Sequence, residues 1–118
     1  VVFKHKGTTQ IAVAQNEHAR ILIIGLDGKV KQELQQPKGG EFDYDEANWY
    51  YSHAPKKQCP WGTPHTPAFA CTDVTYHNGK LYAVAGYCDG DFVVTASEKN
   101  GKWEWGPTAW GGHGDAPG

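Results

Sequence analysis

The sequence predicts an all-β protein made of two four-stranded antiparallel units. The chain of 118 residues has 15 Gly, 7 Pro, 5 Trp and 6 Tyr and no Met, which is typical of a turn-rich β protein. No segment shows the sustained apolar period of about 3.6 residues that a helix packed on a core requires. A four-strand pattern also occurs twice, once in each half of the chain.

The repeat is visible when the two halves of the chain are aligned. V-F-K-H-K-G, ending at Gly7, matches V-T-Y-H-N-G, ending at Gly79, with an offset of 72 residues. I-A-V-A, ending at Ala14, matches Y-A-V-A, ending at Ala85, with an offset of 71. Because insertions and deletions are tolerated best in connecting segments, the alignment predicts that one residue is lost in a turn.

Each copy contains four predicted strands rich in β-branched, aromatic and aliphatic residues. Asn78-Gly79 predicts a tight hairpin turn in the second copy, because both residues tolerate a positive φ. The predicted strands are Val1–Lys4, Gln10–Ala14, Arg20–Gly25 and Val30–Leu34 in the first copy, and Val74–Tyr76, Leu81–Ala85, Phe92–Ser97 and Lys102–Trp105 in the second.

Repeated four-stranded antiparallel units are the blades of a β-propeller. Ile21–Ile24 and Phe92–Val94 are apolar on both faces, as expected of strands packed between neighbouring blades. We therefore assign residues 1–36 to one blade, 37–67 to a long inter-blade loop, 68–110 to a second blade and 111–118 to a connector toward a further blade. Two blades cannot close a ring, so the expected partners are further blades, from the same polypeptide or from other copies of the chain.

Charge and hydropathy exclude two classes of partner. The net charge is −2, and no cluster of basic residues exceeds the pair Lys56-Lys57, so no nucleic-acid partner is predicted. The longest apolar run, Ile21–Ile24, is far shorter than the roughly 20 residues of a membrane-spanning helix. No membrane span is therefore predicted.

The inter-blade loop contains an aromatic cluster, Trp49-Tyr50-Tyr51. Loops of this length in compact domains often carry function, so these three residues are candidates for a partner-binding surface. The alternative is that the loop forms a lid that packs on its own blade. The sequence leaves both interpretations open.

The second copy resembles a known family. Its pattern V-x-Y-x-x-G-K-L-Y-A-V-A-G-Y-C-D-G-D-F-V-V, followed by N-G-K-W and G-G-H-G-D-A-P-G, resembles an NHL-type propeller repeat. T-D-V at Thr72–Val74, followed by G-Y-C at Gly86–Cys88, resembles more narrowly the peptidyl-α-hydroxyglycine α-amidating lyase family. The resemblance implies a six-bladed, secreted propeller, extracellular or periplasmic, with zinc and calcium as cofactors.

The same resemblance implies a catalytic role for Tyr87. In the lyase family a phenol near the zinc takes part in proton transfer from the substrate hydroxyl, which requires its pKa to be lowered from about 10. This chain departs from the family pattern, since Ala85 and Asp91 stand where the family has Asp and Arg. The alternative for Tyr87 is an aromatic side chain that packs on the next connector at the end of a blade.

The three cysteines are an odd number, so at least one has no partner within the chain. Cys71 and Cys88 flank strands that would bring them to the same end of a blade, within the Cα separation of a disulfide. The lyase resemblance implies that bond, and the alternative is a pair of reduced cysteines in a cytosolic protein. Cys59 remains as a free thiol or an intermolecular link.

No metal ligand is identified in this chain. The zinc ligands of the resembled propeller follow P-H-[GS]-[IL], and none of the histidines stands in that setting: His5, His18, His53, His65, His77 and His113. His5 and His77 occupy equivalent turns and are predicted to be structural. The acidic residues from Glu41 to Glu46 lack the spacing of a calcium loop and indicate a solvated turn.

Two functions follow as hypotheses. The first is a metal-dependent, amidating-lyase-like enzyme acting on peptidyl-α-hydroxyglycine-like substrates, to which Tyr87 contributes. The second is a non-catalytic extracellular propeller for binding or assembly, with the loop at 37–67 as its contact surface.

Overall fold

The computed structural model describes residues 1–15, 18–37, 71–85 and 92–110. Within these ranges the chain forms β-strands and no α-helix, which confirms the all-β prediction. No helix in the described ranges is long and apolar enough to cross a membrane. The strands are β1 (Val2–His5), β2 (Thr8–Gln15), β3 (Arg20–Gly25), β4 (Val30–Gln35), β5 (Cys71–His77), β6 (Lys80–Ala85), β7 (Phe92–Lys99) and β8 (Lys102–Trp110).

In the part of the chain that the structure describes, the strands form two four-stranded antiparallel sheets, and within each sheet every strand pairs with the next along the chain. Sheet 1 has the order β1-β2-β3-β4, and sheet 2 has the order β5-β6-β7-β8. All eight predicted strands are present, and β3 has the predicted bounds. The largest extension is in β8, which continues to Trp110.

The hairpins β1–β2, β5–β6 and β7–β8 have two-residue turns. Both central residues have positive φ in each case: 49° and 80° at Lys6-Gly7, 47° and 81° at Asn78-Gly79, and 53° and 83° at Asn100-Gly101. Positive φ at both positions defines the type I′ turn, whose twist matches that of the flanking strands. The turn predicted at Asn78-Gly79 is confirmed.

The prediction that a residue is lost in a turn is wrong. His5 pairs with Thr8, and His77 pairs with Lys80, so the first hairpin of each sheet has a turn of the same length. The change of offset therefore falls inside the second strand of each sheet. Because side chains alternate between the faces of a strand, this one-residue shift exchanges the faces on which the matched residues lie.

The two faces of each sheet can be named from these equivalent turns. We call the face that carries His5 in sheet 1, and His77 in sheet 2, the front face, and the opposite one the back face. Side chains alternate along a strand and cross-strand pairs share a face. Phe3 therefore lies with His5 on the front of sheet 1, and Tyr76, next to His77, lies on the back of sheet 2. The front of sheet 1 packs on the back of sheet 2.

One hydrophobic core lies between the sheets. It comprises Phe3, Ala12, Ile21, Ile23 and Leu34 of sheet 1, and Cys71, Val74, Leu81, Ala83, Ala85, Val94, Ala96 and Trp103 of sheet 2. In β3 the burial alternates, because Ile21 and Ile23 enter this core while Leu22 and Ile24 lie half-buried on the back face. The apolar residues of β3 therefore lie on two different faces: one is packed against sheet 2 and the other is open.

Candidate functional site at the sheet interface

A polar cluster joins the sheets near their first hairpins. His5 ends β1 and faces the interface because it shares the front face with Phe3. Its two ring nitrogens meet side chains of sheet 2: Nδ1 lies 3.0 Å from Oη of Tyr76, and Nε2 lies 3.0 Å from Oε2 of Glu98. The imidazole therefore bridges β5 and β7 across the interface.

Glu98 is the acceptor at the centre of this cluster. Its Oε2 also lies 2.7 Å from Nζ of Lys6, and its Oε1 accepts the N–H of Gly101 at 3.0 Å. The hydrogen bond from Lys6, followed by that from His5, lowers the pKa of Glu98 from 4.5 to about 2 against the opposing effect of burial. Glu98 is thus a carboxylate at neutral pH.

The contact with Glu98 explains an unusual turn residue. Lys6 has φ 49° at a turn position where Asn or Gly is favoured, and Asn78 occupies the equivalent position in sheet 2. From this position the Lys6 ammonium reaches Glu98 while the side chain stays 71% exposed. The first turn therefore combines a less favourable backbone conformation with an ion pair between the sheets.

Aromatic rings surround the His5 imidazole. Phe3 stacks on Tyr76 with ring centroids 4.8 Å apart, and it meets Trp103 edge-on at 5.7 Å. The His5 ring lies 4.9 Å from that of Trp103, and its side chain is only 11% exposed. Aromatic packing of this kind fixes ring orientation and adds to the free energy gained by burial.

A second contact joins the last strands of the two sheets. The side-chain amide of Gln32 donates to the carbonyl of Trp103 and accepts its N–H, each at 2.8 Å. Nearby, Nε1 of Trp105 donates to the carbonyl of Gln35 at 2.6 Å. Gln32 therefore pairs with the backbone of β8 much as a neighbouring strand would.

The chemistry available to the cluster is proton sharing within the interface. With its proton on Nε2, His5 donates to Glu98 and accepts the Tyr76 hydroxyl at Nδ1, while a protonated ring donates to both. Each of these three side chains has its partner within the cluster. In the described part of the chain no group of three His, Cys, Asp or Glu side chains is placed to hold a metal ion. The arrangement is typical of a contact that fixes two layers together.

His5 and His77, which the sequence predicts to be structural, occupy equivalent turns but have different surroundings. Both precede a type I′ turn, but the front of sheet 1 is covered and the front of sheet 2 is open, so His77 is exposed. Tyr76, Glu98, Gln32 and Trp103 were not singled out by the sequence. The signal that could have found Tyr76 is its alternation with Val74 on a strand that faces the core.

Cys71 is buried in β5, where it carries a thiol whose Sγ donates to the Asp73 carbonyl at 3.3 Å. Burial is the main cause that raises the pKa of this thiol from 9.0 to about 11. The partner predicted for it, Cys88, lies outside the described residues, so the disulfide stays a prediction. Also outside are Cys59, Tyr87 and the aromatic cluster Trp49, Tyr50 and Tyr51.

Comparisons with models of protein families, with curated proteins and with solved structures find nothing that matches this chain.

Proposed function

We propose that the chain is a segment of an NHL-type β-propeller whose role is binding or assembly. The observation that carries this proposal is the packing of the front of sheet 1 on the back of sheet 2. Consecutive blades around a propeller axis pack in this way, since each blade repeats the orientation of the one before it. Two sheets related by a two-fold axis would instead join like faces.

The open faces support the same proposal. A row of aliphatic residues crosses all four strands on the back of sheet 1, formed by the paired positions Val2, Ile11, Ile24 and Val30. Val2 is 64% exposed and Val30 is 51% exposed. An antiparallel sheet that faces water normally presents polar residues there. Contiguous apolar surface of this kind is typical of a face that another element covers.

Cysteine labelling of the intact protein tests this proposal. Val30→Cys places a thiol on the apolar row, and Leu26→Cys places one in the β3–β4 connection, where Leu26 is 71% exposed. If further blades cover the back of sheet 1, the thiol introduced by Val30→Cys reacts with iodoacetamide far more slowly than the one introduced by Leu26→Cys, as followed by peptide mass spectrometry. Equal rates in the folded protein would rule out a covered back face and with it the propeller proposal.

The enzymatic candidate rests on the resemblance around Tyr87. It is a zinc-dependent lyase acting on peptidyl-α-hydroxyglycine-like substrates, with secretion implied by the same resemblance. Metal analysis of the intact protein and an α-hydroxyglycine cleavage assay test it directly. We expect bound zinc, and activity that Tyr87→Phe abolishes, if the candidate is correct. The candidate would be excluded if the intact protein contained no zinc and if Tyr87→Phe had the same cleavage activity as the natural protein.

A further inference from the structure

We infer that a second copy of this chain docks head to tail, with the front of sheet 2 in one copy packed on the back of sheet 1 in the next. The inference rests on the proposed function, because it names the element that covers the open faces. It follows from which faces the existing interface uses and which it leaves open.

The interface inside the chain is heterologous, since it joins two different faces. Among the residues that the structure describes, it uses the front of sheet 1 and the back of sheet 2, and it leaves the back of sheet 1 and the front of sheet 2 open. Counted from the equivalent turns, Val2 corresponds to Val74, which is buried inside the chain, whereas Val2 is exposed. The two open faces are therefore the same kind of pair that already packs within the chain, and both are present on every copy.

The back of sheet 1 is apolar over its centre. Beside the row that contains Ile24 and Val30, the paired residues Val13 and Leu22 add a second aliphatic patch on the same face. The ion pair between Arg20 and Glu33, with 2.9 Å between nitrogen and oxygen, lies on this face next to Gln15 and Gln35. The face thus combines an aliphatic centre with a polar margin, as protein interfaces commonly do.

The front of sheet 2 has a matching apolar strip. Val84, Val93 and Trp110 are paired across three strands, and the ring of Trp110 meets that of Tyr82 edge-on at 6.4 Å. Val84 is 41% exposed and Trp110 is 51% exposed. Polar residues, including His77 and Lys80, lie toward the turns. The strip thus combines an exposed Trp with a half-buried Tyr, and Trp and Tyr are among the side chains that most often anchor an interface.

A head-to-tail contact leaves one open face at each end of every assembly that has not closed. Association therefore continues beyond a dimer until the assembly closes into a ring or extends as a filament. A two-fold dimer made from like faces would stop at two copies. This difference in stoichiometry allows the two arrangements to be distinguished.

Two single-face variants test the inference. Val30→Glu places a charge on the back of sheet 1, and Val84→Glu places one on the front of sheet 2, both at exposed positions that the fold tolerates. By sedimentation velocity over increasing concentration, we expect the natural chain to grow beyond a dimer and each variant to remain monomeric. Mixed in equal amounts, the variants should form a dimer and nothing larger, because only one pair of intact faces remains.

Leu26→Glu, in the exposed β3–β4 connection, is the matched control and should assemble like the natural chain. Far-ultraviolet circular dichroism and urea unfolding establish that each variant is folded. A natural chain that stays monomeric throughout would overturn the inference. So would the loss of assembly in Val30→Glu while Val84→Glu still dimerises, since that pattern indicates contact between two back faces.

The labelling experiment separates this inference from the proposed function. If the thiol of the Val30→Cys variant is protected in the intact protein while the 118-residue chain remains monomeric, the cover comes from another blade of the same polypeptide. The proposed function would then stand and the second copy would be excluded. If that thiol is labelled freely and the chain is monomeric, both fail.

Discussion

Nε2 of His5 lies 3.0 Å from Oε2 of Glu98, so that the first strand of the chain and the third strand of the other sheet share one hydrogen bond. The two residues are 93 positions apart. Closing so long a segment of chain costs conformational entropy that only contacts between the sheets can offset. The contact between His5 and Glu98, with the aromatic rings around it, is therefore one of the contacts that offset this cost.

Glu98→Gln should make the stability of the chain less dependent on pH in acid. The pKa of Glu98 is lowered from 4.5 to about 2 in the folded chain, so the unfolded chain binds this proton more readily. The stabilisation is present above pH 4.5 and is lost as the pH falls toward 2. Urea unfolding across this acid range and up to neutral pH should show a stability difference between the natural chain and Glu98→Gln that shrinks as the pH falls.

Glu104→Gln is the control for that experiment. Glu104 is exposed, and its oxygen is 3.9 Å from Nζ of Lys99 in a solvent-facing pair of the kind that adds little stability. Its pH profile should follow that of the natural chain. Parallel profiles for Glu98→Gln and the natural chain would contradict the role assigned to Glu98.

Tyr76→Phe should destabilise the fold by about 1 kcal/mol, because it removes the hydroxyl that contacts His5 and retains the ring stacked on Phe3. Equilibrium unfolding in urea measures the change. Tyr82→Phe, on the open front of sheet 2, is the matched control and should have a smaller effect. An equal loss in both variants would indicate that the Tyr76 hydroxyl contributes nothing specific to the interface.

Gln32→Leu should cost about 1 to 3 kcal/mol, because it leaves the N–H and the carbonyl of Trp103 without the side chain that pairs with both. Gln32→Asn should restore little of this loss, since its amide is one methylene shorter. Gln35→Ala removes an amide of the same type from an exposed position and serves as the control. Unfolding free energies that are equal for Gln32→Leu and Gln35→Ala would contradict the pairing.

The state of Cys71 can be determined by alkylation with and without reductant. As a buried thiol with a pKa of about 11, it should resist iodoacetamide in mildly alkaline buffer in the folded chain and react once the chain is unfolded. If it is bonded to Cys88, as the sequence predicts, it should resist in the unfolded chain too until reductant is added. Peptide mapping without reductant would then show the two cysteines joined, and an alkylated Cys71 would exclude the bond.

The raised pKa of Cys71 also predicts that the chain loses stability at alkaline pH if Cys71 is a free thiol. Because the folded state disfavours the thiolate, stability should fall as the pH rises from 9.0 toward about 11. Cys71→Ala removes this titration and should flatten the profile, while leaving the pH dependence in acid unchanged. A disulfide at Cys71 would abolish the alkaline effect in the natural chain.

The strands and turns of this fold could be predicted because their signals are local. Arg20–Gly25 contains four consecutive aliphatic residues that end at a glycine, and the strand has those bounds. Asn78-Gly79 predicts its own turn type, since both residues accept the left-handed backbone that a type I′ turn requires. The turn at Lys6-Gly7 is recognisable only through its similarity to the second copy, because lysine has no such preference.

The candidate site was harder to predict because its contacts join residues far apart in the chain. Nothing in the neighbourhood of Glu98 or Gln32 indicates that one accepts from His5 and the other pairs with the backbone of Trp103. The alignment also matched I-A-V-A with Y-A-V-A, although the one-residue shift places those residues on opposite faces. Sequence similarity follows residue type, whereas the face of a strand depends on counting from the turn.

The sequence by itself determined the eight strands that the structure describes, their order and the tight turn at Asn78-Gly79, since hydrophobic runs and backbone preferences act over a few residues. Only the tertiary structure decided that the front of sheet 1 covers the back of sheet 2. That choice gives the equivalent residues His5 and His77 different surroundings, one bridging two sheets and the other exposed. The physical reason is that a residue becomes buried only when a second surface packs on it, whereas the sequence of a strand indicates only how polar its own faces are.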